Sequence, residues 1–229
     1  LILLSLILMI VALARPQLLS ENRIVKKDGI DIAISLDLSQ SMLQEDFTPN
    51  RLEKAKEVLS EFIDKRTDDR LALIVFGGDA YTKVPLTFDH NVIKEMTGKL
   101  TVDDITSNTR TAIGMGIGVA LNRLKDSEAK SKVIILLTDG ENNSGEMSPS
   151  AAADIAKELG IKIYTIGIGA KEIKVPSFFG YTTVKNTELD ENMLKSIAET
   201  TGGEYFRASD SKEFKEIFNK IDALEKTQI

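Results

Sequence analysis

Apolar residues recur along this chain with the spacings of strands and of helices. From Ile30 to Leu38 every even-numbered residue is apolar and the residues between them are polar or small, which is the period of a β-strand. Residues 132–138 (KVIILLT) form an apolar run typical of a central parallel strand covered on both faces. Three more short apolar stretches, at residues 70–78, 161–168 and 203–206, are predicted to be strands as well.

Helical patterns separate these strands. Residues 51–65 repeat apolar side chains at the i, i+3, i+4 spacing, and we expect Thr48 to cap this helix with Pro49 at its first position. Helices are also predicted at residues 91–100, 111–124, 149–159, 191–200 and 211–224. In the helix at 111–124, Gly114, Gly116 and Gly118 each cost about 1 kcal/mol relative to alanine, so we expect this helix to be pressed tightly against the sheet.

The alternation of strands and helices predicts an α/β fold: a mostly parallel sheet with helices on both faces. Residues 81–87 are expected to form a hairpin with residues 70–78 and to be an antiparallel edge strand, because Pro85 cannot donate a ladder hydrogen bond. Residues 171–188 are expected to be a separate β-excursion.

The first fourteen residues, LILLSLILMIVALA, carry no charge and end at Arg15-Pro16. The run is apolar on all sides rather than along one stripe, so we expect residues 1–14 to be the C-terminal part of a transmembrane helix, although a full span needs ~20 residues. A buried core helix is the alternative. Residues 15–29 are then a juxtamembrane linker, and residues 30–227 the folded domain.

Composition removes several classes of function. The 229 residues carry a formal net charge of -6, which argues against a nucleic-acid-binding protein. The chain has no cysteine, which excludes disulfides, thiolate zinc sites and a cysteine nucleophile. Its single histidine, His90, lies at a predicted helix start and is expected to be a surface residue.

Oxygen-bearing side chains cluster where two predicted strands end. Asp37, Ser39 and Ser41 follow the first strand, and Asp139 follows the run at 132–138. Ligands bind at the carboxyl ends of parallel strands, so these residues are expected to meet there. Thr111 opens the glycine-containing helix and adds a third hydroxyl, with Thr109 as an alternative.

Two carboxylates and three hydroxyls form the oxygen set that hard cations such as Mg²⁺ prefer. Such a set leaves the ion incompletely neutralised, so we expect an open coordination position to attract a carboxylate from a partner. Each residue also has an ordinary role, as a turn former or a helix cap.

The pattern Asp37-x-Ser39-x-Ser41, a threonine opening a small-residue helix, and LTDG at residues 137–140 resemble the metal-ion-dependent adhesion site (MIDAS) of von Willebrand factor A (VWA) domains. More narrowly, DLSQSMLQEDFTPNRLEKAK, FGGDAYTKVPLTFDH, RTAIGMGIGVALNRLKDSEAKSKVIILLTDGENNSGE and KELGIKIYTIGIG resemble the BatA-type aerotolerance proteins of bacterial membranes. In one respect the chain differs from this family, because Arg110 stands where a glycine usually precedes the threonine.

This resemblance implies a Rossmann-like VWA domain that binds Mg²⁺ or Mn²⁺, in part through water. The implied ligands are Asp37, Ser39, Ser41, Thr111 and Asp139. It also implies anchoring in the bacterial inner membrane at both ends, with a second span after residue 229 and a periplasmic domain. The implied partners are other VWA-domain Bat proteins and a MoxR-type AAA+ ATPase.

Three functions follow from these patterns. The first is a metal-dependent protein-binding module that is not an enzyme. The second is a Mg²⁺-dependent phosphoryl-transfer enzyme with Asp37 as nucleophile, but the sequence offers hydroxyls rather than a Lys or Arg clamp beside Asp37 and has no GxxxxGK[ST] loop. The third is a structural module with a vestigial metal site.

Overall fold

The computed structural model describes residues 2–13, 29–170, 172–177, 180–185 and 189–226. Its strands are β1 (Asp31–Asp37), β2 (Arg70–Phe76), β3 (Ala80–Thr87), β4 (Lys132–Thr138), β5 (Lys162–Ile168), β6 (Glu172–Ser177), β7 (Gly180–Lys185) and β8 (Tyr205–Ala208). Its helices are α1 (Ile2–Leu13), α2 (Arg51–Asp64), α3 (His90–Gly98), α4 (Ile113–Leu124), α5 (Pro149–Glu158), α6 (Glu191–Thr201) and α7 (Ser211–Lys226).

Six of the strands form one sheet in the order β3-β2-β1-β4-β5-β8. Neighbouring strands are parallel except for β3, which pairs antiparallel with β2 at one edge. The mostly parallel sheet with one antiparallel edge strand is therefore confirmed. β6 and β7 pair with each other in a separate antiparallel sheet, as expected for a β-excursion.

Each face of the sheet has its own hydrophobic core. Ile32, Ile34 and Leu36 of β1 pack into one core, which is completed by α2, α3 and α7. Ala33 lies in the other core, with apolar residues of α4, α5 and α6. Because successive residues of a strand point to opposite faces, the alternation in β1 places helices on both sides of the sheet.

The glycines of α4 allow close contacts, but not all of these are with the sheet. A Cβ at Gly116 would lie 2.7 Å from the Phe76 ring and 3.0 Å from the Ser35 hydroxyl, so this glycine brings α4 directly against β1 and β2. A Cβ at Gly114 would lie 2.0 Å from the carbonyl oxygen of Met147 instead. The expectation of a helix pressed on the sheet thus holds at Gly116, whereas Gly114 accommodates the loop before α5.

Two predicted helix starts were wrong. The N-cap of α2 is Asn50, whose side chain accepts a hydrogen bond from the Glu53 amide at 2.8 Å, so Thr48 and Pro49 both lie before the helix. The N-cap of α4 is Ala112, so Thr111 precedes the cap. In both cases the helix begins closer to its first buried apolar residue than the polar signal predicted.

The apolar N-terminal segment forms a short exposed helix. Ile2, Leu3 and Leu13 of α1 are 85%, 77% and 77% exposed, so the alternative of a buried core helix is wrong. In the described ranges no helix has both the length and the apolar character needed to cross a membrane. The predicted linker at residues 15–29 lies outside the described residues except for Gly29, and the end of the predicted domain at residue 227 lies outside them as well.

A buried carboxylate near the end of α7 attaches this helix to the amino-terminal side of the sheet. Glu225 has no exposed surface and accepts hydrogen bonds from Tyr164 at 2.6 Å, Ser131 at 2.7 Å and Lys162 at 3.0 Å. Burial alone would raise the pKa of Glu225, but these three donors outweigh it and the pKa is lowered. The ionised form is therefore the one that holds α7 in place.

We expect Gly116→Ala to lower the free energy of unfolding by about 1–3 kcal/mol, because the new methyl group overlaps the Phe76 ring. The matched control is Gly98→Ala at the end of α3, where a Cβ meets nothing within 4 Å and where we expect a change of less than about 1 kcal/mol. Urea denaturation of both variants measures the difference. Equal free energies of unfolding would contradict the packing described for α4.

We expect Glu225→Gln to lower the free energy of unfolding at neutral pH and much less in acid. The stabilisation belongs to a carboxylate whose pKa in the folded state is below its ordinary value of 4.5. It is fully present above the unfolded-state pKa and is lost as the pH falls through the folded-state pKa. Denaturation of both proteins between neutral pH and about pH 3 measures this, with Glu216→Gln on the exposed face of α7 as control. A difference in the free energy of unfolding that stays constant with pH would exclude a stabilising role for the ionised carboxylate of Glu225.

Candidate metal centre

The topology brings three loops to the carboxyl edge of the sheet. β1 lies directly beside β4, and the pairing of Leu36 with Leu137 sets their ends level. Asp37, the last residue of β1, and Asp139, the first residue after β4, therefore lie at adjacent strand ends. The segment before α4 is joined to the end of β2 by a hydrogen bond from the Ala112 amide to the Gly77 carbonyl at 2.6 Å.

The loop after β1 is folded around the carboxylate of Asp37. Oδ1 of Asp37 accepts a hydrogen bond from the Ser39 amide at 2.8 Å, and Oδ2 accepts one from the Thr138 hydroxyl at 2.6 Å. These bonds turn the chain so that the hydroxyls of Ser39 and Ser41 lie 3.0 Å apart. A short 3-10 helix, Gln40–Leu43, follows immediately.

The carboxylate of Asp139 lies between a serine and an arginine. Its Oδ1 accepts a hydrogen bond from Ser41 at 2.7 Å, and its Oδ2 accepts one from Nη1 of Arg51 at 2.8 Å. Asp139 is 1% exposed, and Arg51 has no exposed surface. This ion pair links the end of β4 to the first residue of α2.

Thr111 is held in place by its backbone, and its side chain is left available. Its amide donates to Oδ1 of Asn143 at 2.9 Å, and its carbonyl accepts from the amides of Asn143 and Ser144. Its hydroxyl lies 3.8 Å from where a Cβ on Gly140 would be and has no hydrogen-bond partner in the part of the chain that the structure describes. The alternative role of Thr111 as a helix cap is excluded, because Ala112 is the N-cap of α4.

The loops enclose an open polar cleft of about 480 Å³. Four of the five predicted site residues line it, and so does the rival Thr109. Asp37 does not, because it is fully buried behind the Ser39 amide. The full set of lining residues is Ser39, Gln40, Ser41, Gln44, Asn108, Thr109, Thr111, Asp139, Gly140, Glu141 and Asn143.

Electrostatics at the cleft favour the arrival of a cation. Burial, together with the nearby charge of Asp139, raises the pKa of Asp37 to about 7, even though Thr138 and Ser39 donate hydrogen bonds to it. Two carboxylates in a poorly solvated place repel each other, and a divalent cation between them would relieve that repulsion. The residues present therefore fit a hard cation by their oxygen chemistry and by their charge.

This fit depends on hydroxyls as well as on carboxylates. Among the described residues no group of three or more His, Cys, Asp or Glu side chains is placed to hold a metal ion. Ser39, Ser41 and Thr111 would have to supply the remaining protein oxygens.

Sequence reasoning missed Arg51 and its ion pair with Asp46. The guanidinium of Arg51 donates to both carboxylate oxygens of Asp46 at 2.8 Å and also to Asp139. One signal was present: Arg51 falls on the same helical stripe as Ala55, Val58 and Phe62, which are all buried. A charged residue in line with an apolar stripe indicates a buried ion pair.

His90 lies at the amino-terminal end of β2, away from the carboxyl ends of the strands. It is the first residue of α3, as predicted, and its Nε2 is 2.8 Å from the carbonyl oxygen of Asp69, just before β2 begins. It is half-buried rather than fully on the surface. It takes no part in the cleft.

Comparison with known proteins identifies the family to which this fold belongs. The sequence profile described as the von Willebrand factor type A domain matches residues 31–220. The chain belongs to this family. An uncharacterized protein of Borreliella burgdorferi is 35% identical to this VWA protein over 232 residues, covering 97% of the chain and 67% of the relative. The chain thus spans about two thirds of the length of the curated relatives it matches.

Three solved structures are similar to this chain in both sequence and fold. BatB from Bacteroides thetaiotaomicron is 33% identical with a TM-score of 0.73, covering 86% of this chain and 100% of that chain. An aerotolerance-related membrane protein from Bacteroides fragilis is 32% identical with a TM-score of 0.70, covering 84% and 98%. Proximal thread matrix protein 1 from the mussel byssus, solved with a zinc-occupied MIDAS motif, is 25% identical with a TM-score of 0.67, covering 86% and 46%. The predicted relation to Bat-type VWA proteins is confirmed.

Thr109 and Thr111 give a matched pair of variants for the cleft. Thr111 is 5% exposed with its hydroxyl beside the Asp139 loop, whereas Thr109 is exposed at the rim. We expect Thr111→Val to weaken Mn²⁺ binding about 10-fold or more, and Thr109→Val to leave it unchanged, because only the former removes an oxygen from the predicted set. Isothermal titration with Mn²⁺ measures both, and the reverse order would assign the ligand to Thr109.

Proposed function

We propose that this VWA domain is a divalent-metal-dependent protein-binding module rather than an enzyme. The observation that carries the proposal is the meeting of Ser39, Ser41, Thr111 and Asp139 at one open cleft, with the ionised form of Asp37 disfavoured behind them. A buried pair of carboxylates with neighbouring free space suits a cation that has to remain reachable from outside.

Each residue has a defined part in this proposal. Asp37 and Asp139 supply negative charge, and Ser39, Ser41 and Thr111 supply neutral oxygens. Mg²⁺ or Mn²⁺ would supply an electrophilic position for a carboxylate of the partner. The zinc-occupied MIDAS motif of the mussel protein supports the idea that this fold can hold a divalent cation at such a motif.

The cleft favours a protein partner over a small ligand. At about 480 Å³ it is open and polar, and its lining residues include Gln40, Asn108 and Asn143. Asn143 uses its Oδ1 for the Thr111 amide and Asn108 uses its Nδ2 for the Val102 carbonyl, which leaves the other atom of each carboxamide for a partner. Carboxamides can pair with the backbone groups of a loop on either side of an acidic side chain. We propose that the partner is a protein segment that presents a carboxylate to the bound ion.

The cellular setting is proposed from the same relatives. An aerotolerance-related membrane protein is among the similar structures, and α1 carries exposed apolar residues. We propose anchoring in the bacterial inner membrane, with a further span after residue 229 and a periplasmic domain. Other VWA-domain Bat proteins and a MoxR-type AAA+ ATPase are the proposed companions, in a role linked to stress or aerotolerance.

One observation supports the alternative of a phosphoryl-transfer enzyme, and another argues against it. An arginine does lie beside Asp139 of the candidate metal centre, contrary to the expectation from sequence. However, Arg51 has no exposed surface, and its Nε, Nη1 and Nη2 atoms all donate to Asp46 or Asp139. A guanidinium bound in this way cannot also clamp a phosphate, so the binding module is the better account. The vestigial structural module remains an outcome of the test below.

We expect Mg²⁺ or Mn²⁺ to raise the melting temperature of the wild-type chain, with a stabilisation of about 2.7 kcal/mol when the ion is at a hundred times its Kd. Asp37→Ala should abolish this effect and also the chelator-sensitive capture of a partner from a membrane fraction. Differential scanning fluorimetry and a pull-down with and without EDTA measure the two effects.

The matched control is Asp79→Ala, an exposed acid in the turn between β2 and β3 that should retain both effects. Capture that survives chelation would favour the structural module. Turnover of a phosphate ester that is lost in Asp37→Ala would favour the enzyme.

A further inference from the structure

Arg51 is a fully buried cation beside the candidate metal centre. It is the first residue of α2, and its side chain has no exposed surface. Nε and Nη2 donate to the two oxygens of Asp46, each at 2.8 Å, and Nη1 donates to Oδ2 of Asp139 at 2.8 Å. The guanidinium thus joins two carboxylates, only one of which belongs to the proposed ligand set.

The orientation of this guanidinium is fixed from behind. The two parallel bonds to Asp46 hold the planar fork at two points. Asp46 is itself held, because its Oδ2 also accepts a hydrogen bond from the Ala170 amide at 2.9 Å, at the end of β5. With Nε and Nη2 engaged, Nη1 can point in only one direction, and that direction fixes Oδ2 of Asp139.

With Oδ2 fixed by Arg51, only Oδ1 of Asp139 is left to bind a cation. Oδ1 accepts the hydrogen bond from the hydroxyl of Ser41, a residue that lines the cleft, at 2.7 Å. A free carboxylate can rotate and present both oxygens to a cation, whereas this one can present only Oδ1. Asp139 therefore occupies fewer coordination positions than an unrestrained aspartate would.

We propose that Arg51 is a positioning residue that restricts Asp139 to one oxygen and so keeps a coordination position open for the partner. This inference rests on the proposed function, because it concerns the same cation. It assigns the open position to a specific protein contact rather than to a shortage of ligands.

The charge of Arg51 acts in the same direction. Asp37, Asp46 and Asp139 contribute three formal negative charges when ionised, and Arg51 contributes one positive charge, which leaves two negative charges. A divalent cation brings this group to neutrality. An incoming carboxylate then meets no net repulsion, whereas without the guanidinium it would meet a site with one excess negative charge.

The test is Arg51→Lys in the full chain, with Mn²⁺ as the probe. Lysine keeps the positive charge but lacks the fork, so it cannot hold Asp46 and Asp139 together. Water-proton relaxation at saturating Mn²⁺ reports how many waters the bound ion keeps. We expect the relaxation enhancement per bound ion to fall by the share of about one water, as Oδ2 of Asp139 is released to coordinate, while the Kd changes by no more than about tenfold.

A matched control separates positioning from general damage. Arg66 is also buried and pairs with Asp69 at 2.9 Å, but it lies near the amino end of β2. Arg66→Lys should alter stability without altering the relaxation enhancement. Asp46→Asn is the second variant, in case Arg51→Lys does not fold: it keeps the contact between Arg51 and Asp139 but weakens the anchor, and a smaller fall is expected.

The outcomes distinguish this inference from the proposed function. If the wild-type chain does not bind Mn²⁺, the proposed function fails and the inference fails with it. If the wild type binds Mn²⁺ and both Arg51→Lys and Asp46→Asn show an unchanged or increased relaxation enhancement, only the positioning role is overturned. A fall in these variants that is absent in Arg66→Lys supports it.

Discussion

The close burial of two carboxylates at the ends of adjacent parallel strands is the constraint on which this structure depends. An isolated buried charge is costly unless it is paired and hydrogen-bonded. Asp37 is satisfied by neutral donors, whereas Asp139 has an arginine. Burial, together with the nearby charge of Asp139, raises the pKa of Asp37 to about 7. This difference between the surroundings of the two carboxylates is maintained by the fold rather than by the loops alone.

The fold creates that arrangement through strand order and through small residues. β1 and β4 are neighbours although about a hundred residues separate them along the chain. Their register pairs Leu36 with Leu137, so Asp37 is level with Thr138, the residue before Asp139. Gly116 lets α4 approach β1 and β2, and Gly114 lets the loop before α5 approach α4. Thr111, just before this helix, is thereby brought beside Gly140 and Asp139. The helix propensity lost at the glycines is thus connected directly with the geometry of the cleft.

Much of this could be predicted from sequence because it depends on periodicity. The alternation in residues 30–38 and the apolar run at 132–138 predicted the central strands, and Pro85 predicted the edge. The five proposed ligands came from motif and strand ends, and the structure brings four of them to the cleft and buries Asp37 behind it. Arg51 could not be predicted in the same way, because its partners Asp46 and Asp139 lie in loops whose paths no periodic pattern encodes. The helix starts at Asn50 and Ala112 were missed because a polar cap signal competes with local packing.

In the proposed function, cation and partner depend on each other. Two carboxylates, one of them restrained by Arg51, and three hydroxyls form a weaker cage than the carboxylate-rich sites that bind Ca²⁺ tightly. A partner carboxylate adds a further charged ligand. The bound partner must therefore raise the affinity for the ion by the same factor by which the bound ion raises the affinity for the partner. A protein that filled the last position with its own acid would hold the cation more firmly and would lose this dependence. The hydroxyls of Ser39, Ser41 and Thr111 are therefore as important to the proposed binding as the carboxylates, because they add oxygen ligands without adding negative charge.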